Sequence, residues 1–566
     1  MTMSTSSLDI LPVEILHHIL DNLDIQTILF SFRYVCKRFD SITTSYNYYN
    51  FNFESISKTR FLRICHMIPF EQVVSLTLSN RDKTHGQILL FISLFDINHF
   101  LRLRSLTLIR IEANDLKIFL DYTIHSSLIS LSIDSQTLNI SKNPVLNLLS
   151  STIEHYTLQK LDLNMWPKNM QELQWPINCT ISYLRIQNSI TLNQFYIILQ
   201  HSPCLQTIIL KDFNANDTNE NISTYLNPTS SLQLRSLICE GGRIQMDKLE
   251  PCLSLTPALV YLKLIGSGNL FNSSFDGYRW EHIIKNKLPL LEKFDFFVSV
   301  FTHVNFDTSY IEQITSLFQT SFWLDEKNCF VICDYIIYIH KVILYSLPIC
   351  TSHFVYYSDK NKVSASNFTI NNNNNNSIMM DNVKQLDIYL SKVIDTDEIE
   401  DVSYLQFRNV TELTLAIADK WPEGSFKFLS TTINLFNIVK LSLSVNFSYE
   451  YMPSIVHSIN KLLKYAHNIN ILSLFDYWAP DDYRTSIETV CSMITPNIKH
   501  LHIRVKNSDD IKFIIENFKH LKSITFEHAQ NFIFTNGKFV EYLPVMKRHV
   551  SRWENQYALH VWLDNN

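Results

Sequence analysis

Histidine and cysteine are the side chains best suited to metal binding and nucleophilic chemistry, and this chain holds 20 of the first and 10 of the second. Their spacing serves neither use. The cysteines are Cys36, Cys65, Cys179, Cys204, Cys239, Cys252, Cys329, Cys333, Cys350 and Cys491. No Cys-x-x-Cys pair occurs among them, and the closest two are Cys329 and Cys333. A zinc site or a disulfide framework needs paired ligands at defined offsets. No metal is therefore expected, and the thiols are expected to be free and buried, as in a reducing compartment. His17 and His18 are adjacent, whereas side chains share a helix face at a separation of three or four. No Gly-x-Ser-x-Gly, His-Glu-x-x-His or Walker loop is present, and 8 glycines leave little material for phosphate-cradling turns. The expectation is a chain with no catalytic residues and no cofactor.

Charge and hydropathy narrow the partners. Basic side chains number 48 and acidic ones 54, a net charge of −6 that offers no footprint for nucleic acid. No stretch approaches the ~20 apolar residues of a membrane span; the best candidate, Ile336 to Ile349, is interrupted by His340 and Lys341. The start of the chain lacks a basic segment followed by an apolar run. The Asn-x-Ser/Thr triplets at Asn139, Asn178 and Asn446 are accordingly read as by-products of an Asn-rich composition. A cytoplasmic protein is expected, with the nucleus also open to it and no membrane partner. At 566 residues the chain exceeds the size of a single growing core, so it must be several domains or a repeat array.

The first fifty residues are helical in pattern. Leu11-Pro12-Val13-Glu14-Ile15-Leu16 opens a helix, with Pro12 in the first turn, where its missing N–H costs nothing, and Glu14 near the positive end of the dipole. Ile15, Leu16, Ile19, Leu20 and Leu23 form one apolar face. Asp24 is placed to cap a second helix at Ile25, and Ile28, Phe32, Val35, Phe39 and Ile42 recur at helical spacing. A cluster of about fifty residues is near the lower limit of independent stability, so a partner is expected to complete its core.

Leu11-Pro12-x-Glu14-Ile15-Leu16-x-x-Ile19-Leu20-x-x-Leu23, followed by Val35-Cys36-Lys37-Arg38-Phe39, resembles the F-box. In that family the Leu-Pro opening and the helix behind it dock onto a Skp-type adaptor, which joins the protein to cullin and RING subunits of a ubiquitin ligase. The resemblance implies that Leu11, Pro12, Glu14, Ile15, Leu16, Ile19 and Leu20 face the adaptor, with Val35, Cys36 and Phe39 holding the third helix. It also implies a non-catalytic receptor, since ubiquitin transfer belongs to the recruited conjugating enzyme. Two positions depart from the family pattern: Thr27-Ile28 stands where an acidic-Leu step is common, and Phe39 where Trp is frequent. A plain helical hairpin capping the rest of the chain remains the alternative.

From Val74 onward one phrase recurs, an apolar residue, a variable one and another apolar residue. It runs through Leu76/Leu78, Leu106/Leu108, Leu131/Ile133, Leu161/Leu163, Leu184/Ile186, Ile208/Leu210, Leu237/Cys239, Leu262/Leu264 and Phe294/Phe296. After a gap it resumes at Leu386/Ile388, Leu413/Leu415, Leu441/Leu443, Leu472/Leu474, Leu501/Ile503 and Ile524/Phe526. Successive phrases lie 23 to 32 residues apart, close to the period of leucine-rich repeats. Helical stretches such as Asn193 to Gln200 and Ile455 to Tyr465 lie between them. A strand and a helix, repeated, bury their apolar faces by stacking into a curved solenoid.

The variable residue of each phrase points to the other side of its strand. In order these are Thr77, Thr107, Ser132, Asp162, Arg185, Ile209, Ile238, Lys263, Asp295, Asp387, Thr414, Ser442, Ser473, His502 and Thr525. They are nearly all polar, which predicts strands with one packed face and one wet face. Asp162, Arg185, Lys263, Asp295 and His502 are the candidate contacts with a target protein; solvation of an exposed sheet is the other reading.

Between Phe296 and Leu386 the period fails. Ser321 to Leu324 and Cys329 to Cys333 flank a polar turn, Asp325 to Asn328, and predict a β-hairpin, with Ile336 to Leu347 as a further strand. Asn371 to Asn376 predicts a flexible loop. Two readings of this insertion are open, a projection that grips a partner and a segment that covers a sheet edge.

The expected fold is α/β: a flexible N-terminus at 1–8, a three-helix F-box at 9–50 and a leucine-rich repeat horseshoe. The repeats form a first block at 55–300 and a second block with a C-terminal cap at 383–566, around a β-rich insertion at 301–382. The expected role is target recognition for a Skp–cullin–F-box ligase. The rivals are a leucine-rich repeat scaffold with no ligase connection and an enzyme whose site lies at 297–385.

Overall fold

The computed structural model describes residues 8–563 apart from 55, 68, 82, 83, 85, 124, 125, 136–143, 214–232, 244, 245, 268–275, 303–305, 358–361, 369–377, 391–404, 418–420, 423, 446–451, 476–490, 506, 507, 529–549 and 555–557. The expected flexible segment at 1–8, save Leu8, and the asparagine run 371–376 lie outside the described residues. The chain forms two compact units, one of residues 1–262 with 283–292, the other of 263–282 with 293–566.

The first unit opens with three helices, α1 (Val13–Asp21), α2 (Ile25–Phe30) and α3 (Lys37–Ser45). Pro12 takes the N-cap position just outside α1 rather than its first turn. Asp24 caps α2 as expected: one carboxylate oxygen accepts the Thr27 N–H at 2.9 Å and the other the Thr27 hydroxyl at 2.7 Å. Leu16, Leu20, Ile28, Leu29, Phe39 and Ile42 are buried between the helices, and Phe39 stacks on Phe32 with ring centroids 4.3 Å apart.

This helical core does not wait for a partner to complete it. Buried Tyr46, Tyr49, Phe51, Phe53 and Phe61 continue it as a row of rings with successive centroids 5.1, 5.9, 5.6 and 4.9 Å apart. Tyr49 and Phe51 belong to strand β1 (Tyr49–Asn52), and the Tyr46 hydroxyl ties back to Asp21 at 2.6 Å. Gln72 donates to the Thr44 carbonyl at 2.9 Å and Arg60 to Gln26 at 3.0 Å. The chain's own next elements supply the missing core.

From β1 a parallel ladder runs through β2 (Val73–Ser79), β3 (Ser105–Ile109), β4 (Ser130–Ser135), β5 (Lys160–Met165), β6 (Tyr183–Ile190), β7 (Thr207–Phe213) and β8 (Ser236–Arg243). The register is strict. Leu76 opposes Leu106, then Leu131, Leu161, Leu184, Ile208 and Leu237 follow in one column. Helices such as Leu192–His201 return the chain between strands, the latter opened by a capping box of Thr191 and Gln194. β9 (Tyr261–Ser267) follows.

In the second unit β10 (Lys293–Phe301), β11 (Phe330–Ile336), β12 (Lys341–Leu347) and β14 (Lys362–Ser366) pair antiparallel in the order β10-β12-β11-β14, with β13 (His353–Tyr356) intervening in the chain. A short parallel pair joins β15 (Ile378–Met379) to β17 (Leu405–Gln406). A second parallel ladder starts at β13 and continues through β16 (Gln385–Leu390), β18 (Glu412–Ile417), β19 (Lys440–Val445), β20 (Ile471–Phe475), β21 (His500–Val505) and β22 (Ser523–His528). Here too Leu386, Leu413, Leu441, Leu472, Leu501 and Ile524 form one column. β23 (Val550–Glu554) and β24 (Ala558–Leu563) form an antiparallel pair, and β24 lies along β22, ending the parallel run.

Every apolar pair of the phrase is on a strand and buried. A third apolar column, three residues upstream, escaped the sequence reading: Leu103, Leu128, Leu158, Ile181, Leu205, Leu234 and Leu259 in the first unit, Val383, Val410, Ile438, Ile469, Ile498 and Leu521 in the second, all buried. Beside it one carbonyl takes two successive N–H groups of the next strand's start. The Ile129 oxygen accepts from Gln159 at 2.9 Å and Lys160 at 3.0 Å, and the Thr411 oxygen accepts from Val439 at 2.8 Å and Lys440 at 3.0 Å. This satisfies backbone donors that the turn would otherwise leave open.

The insertion differs from expectation in two ways. The hairpin is β11–β12, turning at Ile337 to His340, where His340 takes a positive φ of 49°. The segment Phe322–Glu326 is instead a short wide-turned helix, held because Phe322 and Trp323 pack into an aromatic core with Phe318 and Phe294. The hairpin is also no projection. β12 pairs with β10, both hairpin strands are buried almost throughout, and Ile332, Ile336, Ile343 and Tyr345 join the core of the second ladder. Among the described residues no helix is long and apolar enough to cross a membrane.

The columns predict a sharp contrast. Leu184→Ala or Leu441→Ala removes a fully buried side chain and should destabilise its unit by ~2–5 kcal/mol. Thr107→Ala, on the opposite face, should cost less than about 1 kcal/mol. Urea unfolding midpoints of the three variants measure the difference, and equal losses would mean that the strand faces are assigned backwards.

Candidate functional site

The helical N-terminus carries its own apolar surface. Ile10, Val13 and Ile15 are exposed around the start of α1, and Tyr34 and Val35 just before α3, with Val35 at 66%. Arg38, in the first turn of α3, donates to the Leu11 carbonyl at 2.6 Å, which brings the two helix starts and their exposed apolar residues to one end. Pro12 and Glu14 are exposed there, and Leu11, Ile19 and Cys36 are part-covered. Leu16, Leu20 and Phe39 are not on this surface; at 3% exposure or less they hold the helices together. Val35 does not hold the third helix, because its side chain faces solvent. Ile10, Val13 and Tyr34 were missed because they lie outside the periodic apolar face, and exposure of a large apolar side chain is not visible in spacing. Apolar side chains left in water at such density mark a binding surface.

Compared with protein families, residues 8–51 match the F-box domain. The N-terminal helices are an F-box. An F-box implies binding to a Skp-type adaptor of the ubiquitin ligase system. No curated protein matches the chain.

The variable positions of the strands are less open than the sequence suggests. Asp295, Ser442, Ser473 and Thr525 are buried, because small side chains in a ladder with strands ~4.8 Å apart are shadowed by their neighbours. Asp162 and Arg185 are register partners and face each other, Arg185 Nη1 lying 3.7 Å from Asp162 Oδ2, while Gln187 donates to Asp162 at 2.9 Å. Asp295 is 3.0 Å from the Lys293 ammonium. Lys263 is half-buried on β9, and His502 sits half-buried between Ser473 and Thr525 on β21. Of the five expected contacts, the structure brings Asp162 and Arg185 together; Lys263, Asp295 and His502 stand on separate strands.

The cysteines form no disulfide, but not all are buried: Cys204 is exposed and Cys36 part-covered. Burial pushes the Cys329 thiol up to about 12, with Asp295 adding to the effect, and lifts Cys333 well above the usual range. Thiols held protonated are poor nucleophiles and poor ligands. Among the described residues no cluster of three or more metal-binding side chains occurs.

One polar pair of the second unit was missed. His353 on β13 and Asp387 on β16 meet with Nε2 2.8 Å from Oδ2. The hydrogen bond to Asp387 raises the His353 pKa above its ordinary value, against the opposing effect of burial. Burial works to raise the Asp387 pKa, yet the hydrogen bond from His353 and the neighbouring polar Thr414 outweigh it and hold the carboxyl below the ordinary range. Asp387 was visible as a variable strand position; His353 lies where the period fails, so nothing in the spacing marked it.

The pair sets a pH window. Stability from the raised histidine is present below its ordinary value and fades as pH rises through the raised one; that from the lowered carboxylate fades as pH falls through its own. The melting-temperature advantage of the native chain over His353→Gln should therefore be larger at about pH 5.5 than at about pH 8. An advantage that is unchanged or grows toward pH 8 would show that the pair does not form.

Proposed function

We propose that this chain is the substrate receptor of a Skp–cullin–F-box ubiquitin ligase, its F-box seated on the adaptor and its strands presenting a target protein for ubiquitination. The observation that carries the reading is the F-box match together with the apolar surface at the starts of α1 and α3, which the described residues leave uncovered. The apolar-x-x-apolar-x-apolar phrase, in register down two parallel ladders, supports leucine-rich repeats as the remainder, with the polar side of the strands as the target-facing wall. The wall carries charges of both signs, which select between partners more than they add affinity. Ubiquitin transfer is assigned to the partners, and a cytoplasmic or nuclear setting fits cysteines that form no disulfide.

Adaptor binding is the direct test. Leu16 is a poor probe, since its loss would unfold the F-box. Ile15→Asp and Val35→Asp change exposed side chains, and each should weaken adaptor binding by about thirtyfold, the equivalent of about 2 kcal/mol at an interface hot spot. The melting temperature should not move. Undiminished adaptor pull-down by the combined variant would remove the ligase reading and leave a protein-binding scaffold.

A further inference from the structure

We infer that the second ladder holds a slot for a cationic side chain of the target, an arginine or lysine, between Tyr389 and Asp387. The inference rests on the receptor reading only in naming the cation's owner; the slot itself is a matter of geometry. Tyr389 leaves β16 on the same face as Asp387, two residues away. On one side its ring stacks against Tyr357, centroids 5.5 Å apart and planes 10° apart, and Tyr338 stands edge-on to Tyr357 at 5.9 Å. On the other side its register partner is Ala416, followed by Ser444. A methyl group there fills little space, so among the described residues the second face of Tyr389 is uncovered, and the residue is 45% exposed.

The second face of Tyr389 and the carboxylate together favour positive charge, with Tyr357 backing the ring from behind. Ring faces are electron-rich and attract ammonium and guanidinium groups. Elsewhere in the protein such faces are used internally, by Lys341 over Phe301 at 5.2 Å and Lys461 over Phe426 at 4.7 Å. Among the described residues no lysine or arginine lies over Tyr338, Tyr357 or Tyr389. Asp387 is oriented by His353 at 2.8 Å, and that hydrogen bond helps to hold its carboxyl below the ordinary range. An apolar side chain laid on Tyr389 would strip water from that carboxylate without replacing it, a cost that a guanidinium does not incur.

The test uses the full chain and short fluorescent peptide pools whose fixed central residue is arginine, lysine, citrulline or leucine. The arginine pool should bind about tenfold more tightly than the citrulline pool, which keeps shape and loses charge. Ala416→Phe, which fills the slot, and the near-isosteric Asp387→Asn should each erase that preference. Should Ala416→Phe fail to fold, Asp387→Asn decides alone. Citrulline or leucine pools that bind as well as arginine, or a preference that survives Asp387→Asn, would overturn the slot. Adaptor pull-down in parallel separates the two ideas: a failed adaptor with intact arginine preference removes the ligase reading and keeps the slot.

Discussion

The leucine columns are the constraint from which the rest of the structure follows. Each strand of the two parallel ladders sets its apolar pair opposite the pair of its neighbour, and a single strand cannot bury that pair alone. A slip of one residue would turn every pair outward, so the columns fix register as well as stability. Because side chains alternate, fixing the apolar column on one face also fixes the line of polar residues on the other. Asp162 and Arg185 meet, and Tyr389 neighbours Ala416, for no reason other than the leucines behind them.

The F-box inherits its rigidity from the same source. Its helices are too few to form a self-sufficient core, and the row from Tyr46 to Phe61 carries that core into β1 and so onto β2. An F-box docked this way is not a module on a tether. Under the proposed function, an adaptor held at α1 and α3 would be held at a set position relative to the first ladder. That is what a receptor needs if a bound target is to be offered repeatedly in one place.

Much of this was legible in the residues. The Leu11 to Phe39 spacing announced three helices, and the phrase from Leu76 to Phe526 marked the strands of the ladders other than β1 and β13, because burial on one face imposes a period of two. What stayed hidden depends on contacts distant in sequence. Ser321 to Leu324 has the composition of a strand, yet Trp323 goes to a buried aromatic cluster and the backbone coils to let it. His353 has no local signature, and its role comes from a strand 34 residues away. Exposure of Ile10, Val35 and Tyr34 depends on which neighbours fold over them, which no periodicity records.

The central claim is that the exposed helix starts of the F-box, and not the strand ladders, receive the adaptor. Hydrogen exchange of the full chain, alone and mixed with a Skp-type adaptor, tests it most directly. New protection is expected at Leu8 to Leu23 and at Arg33 to Phe39, with the strands of both ladders unchanged. Protection that falls on the strands instead, or none anywhere, would contradict it.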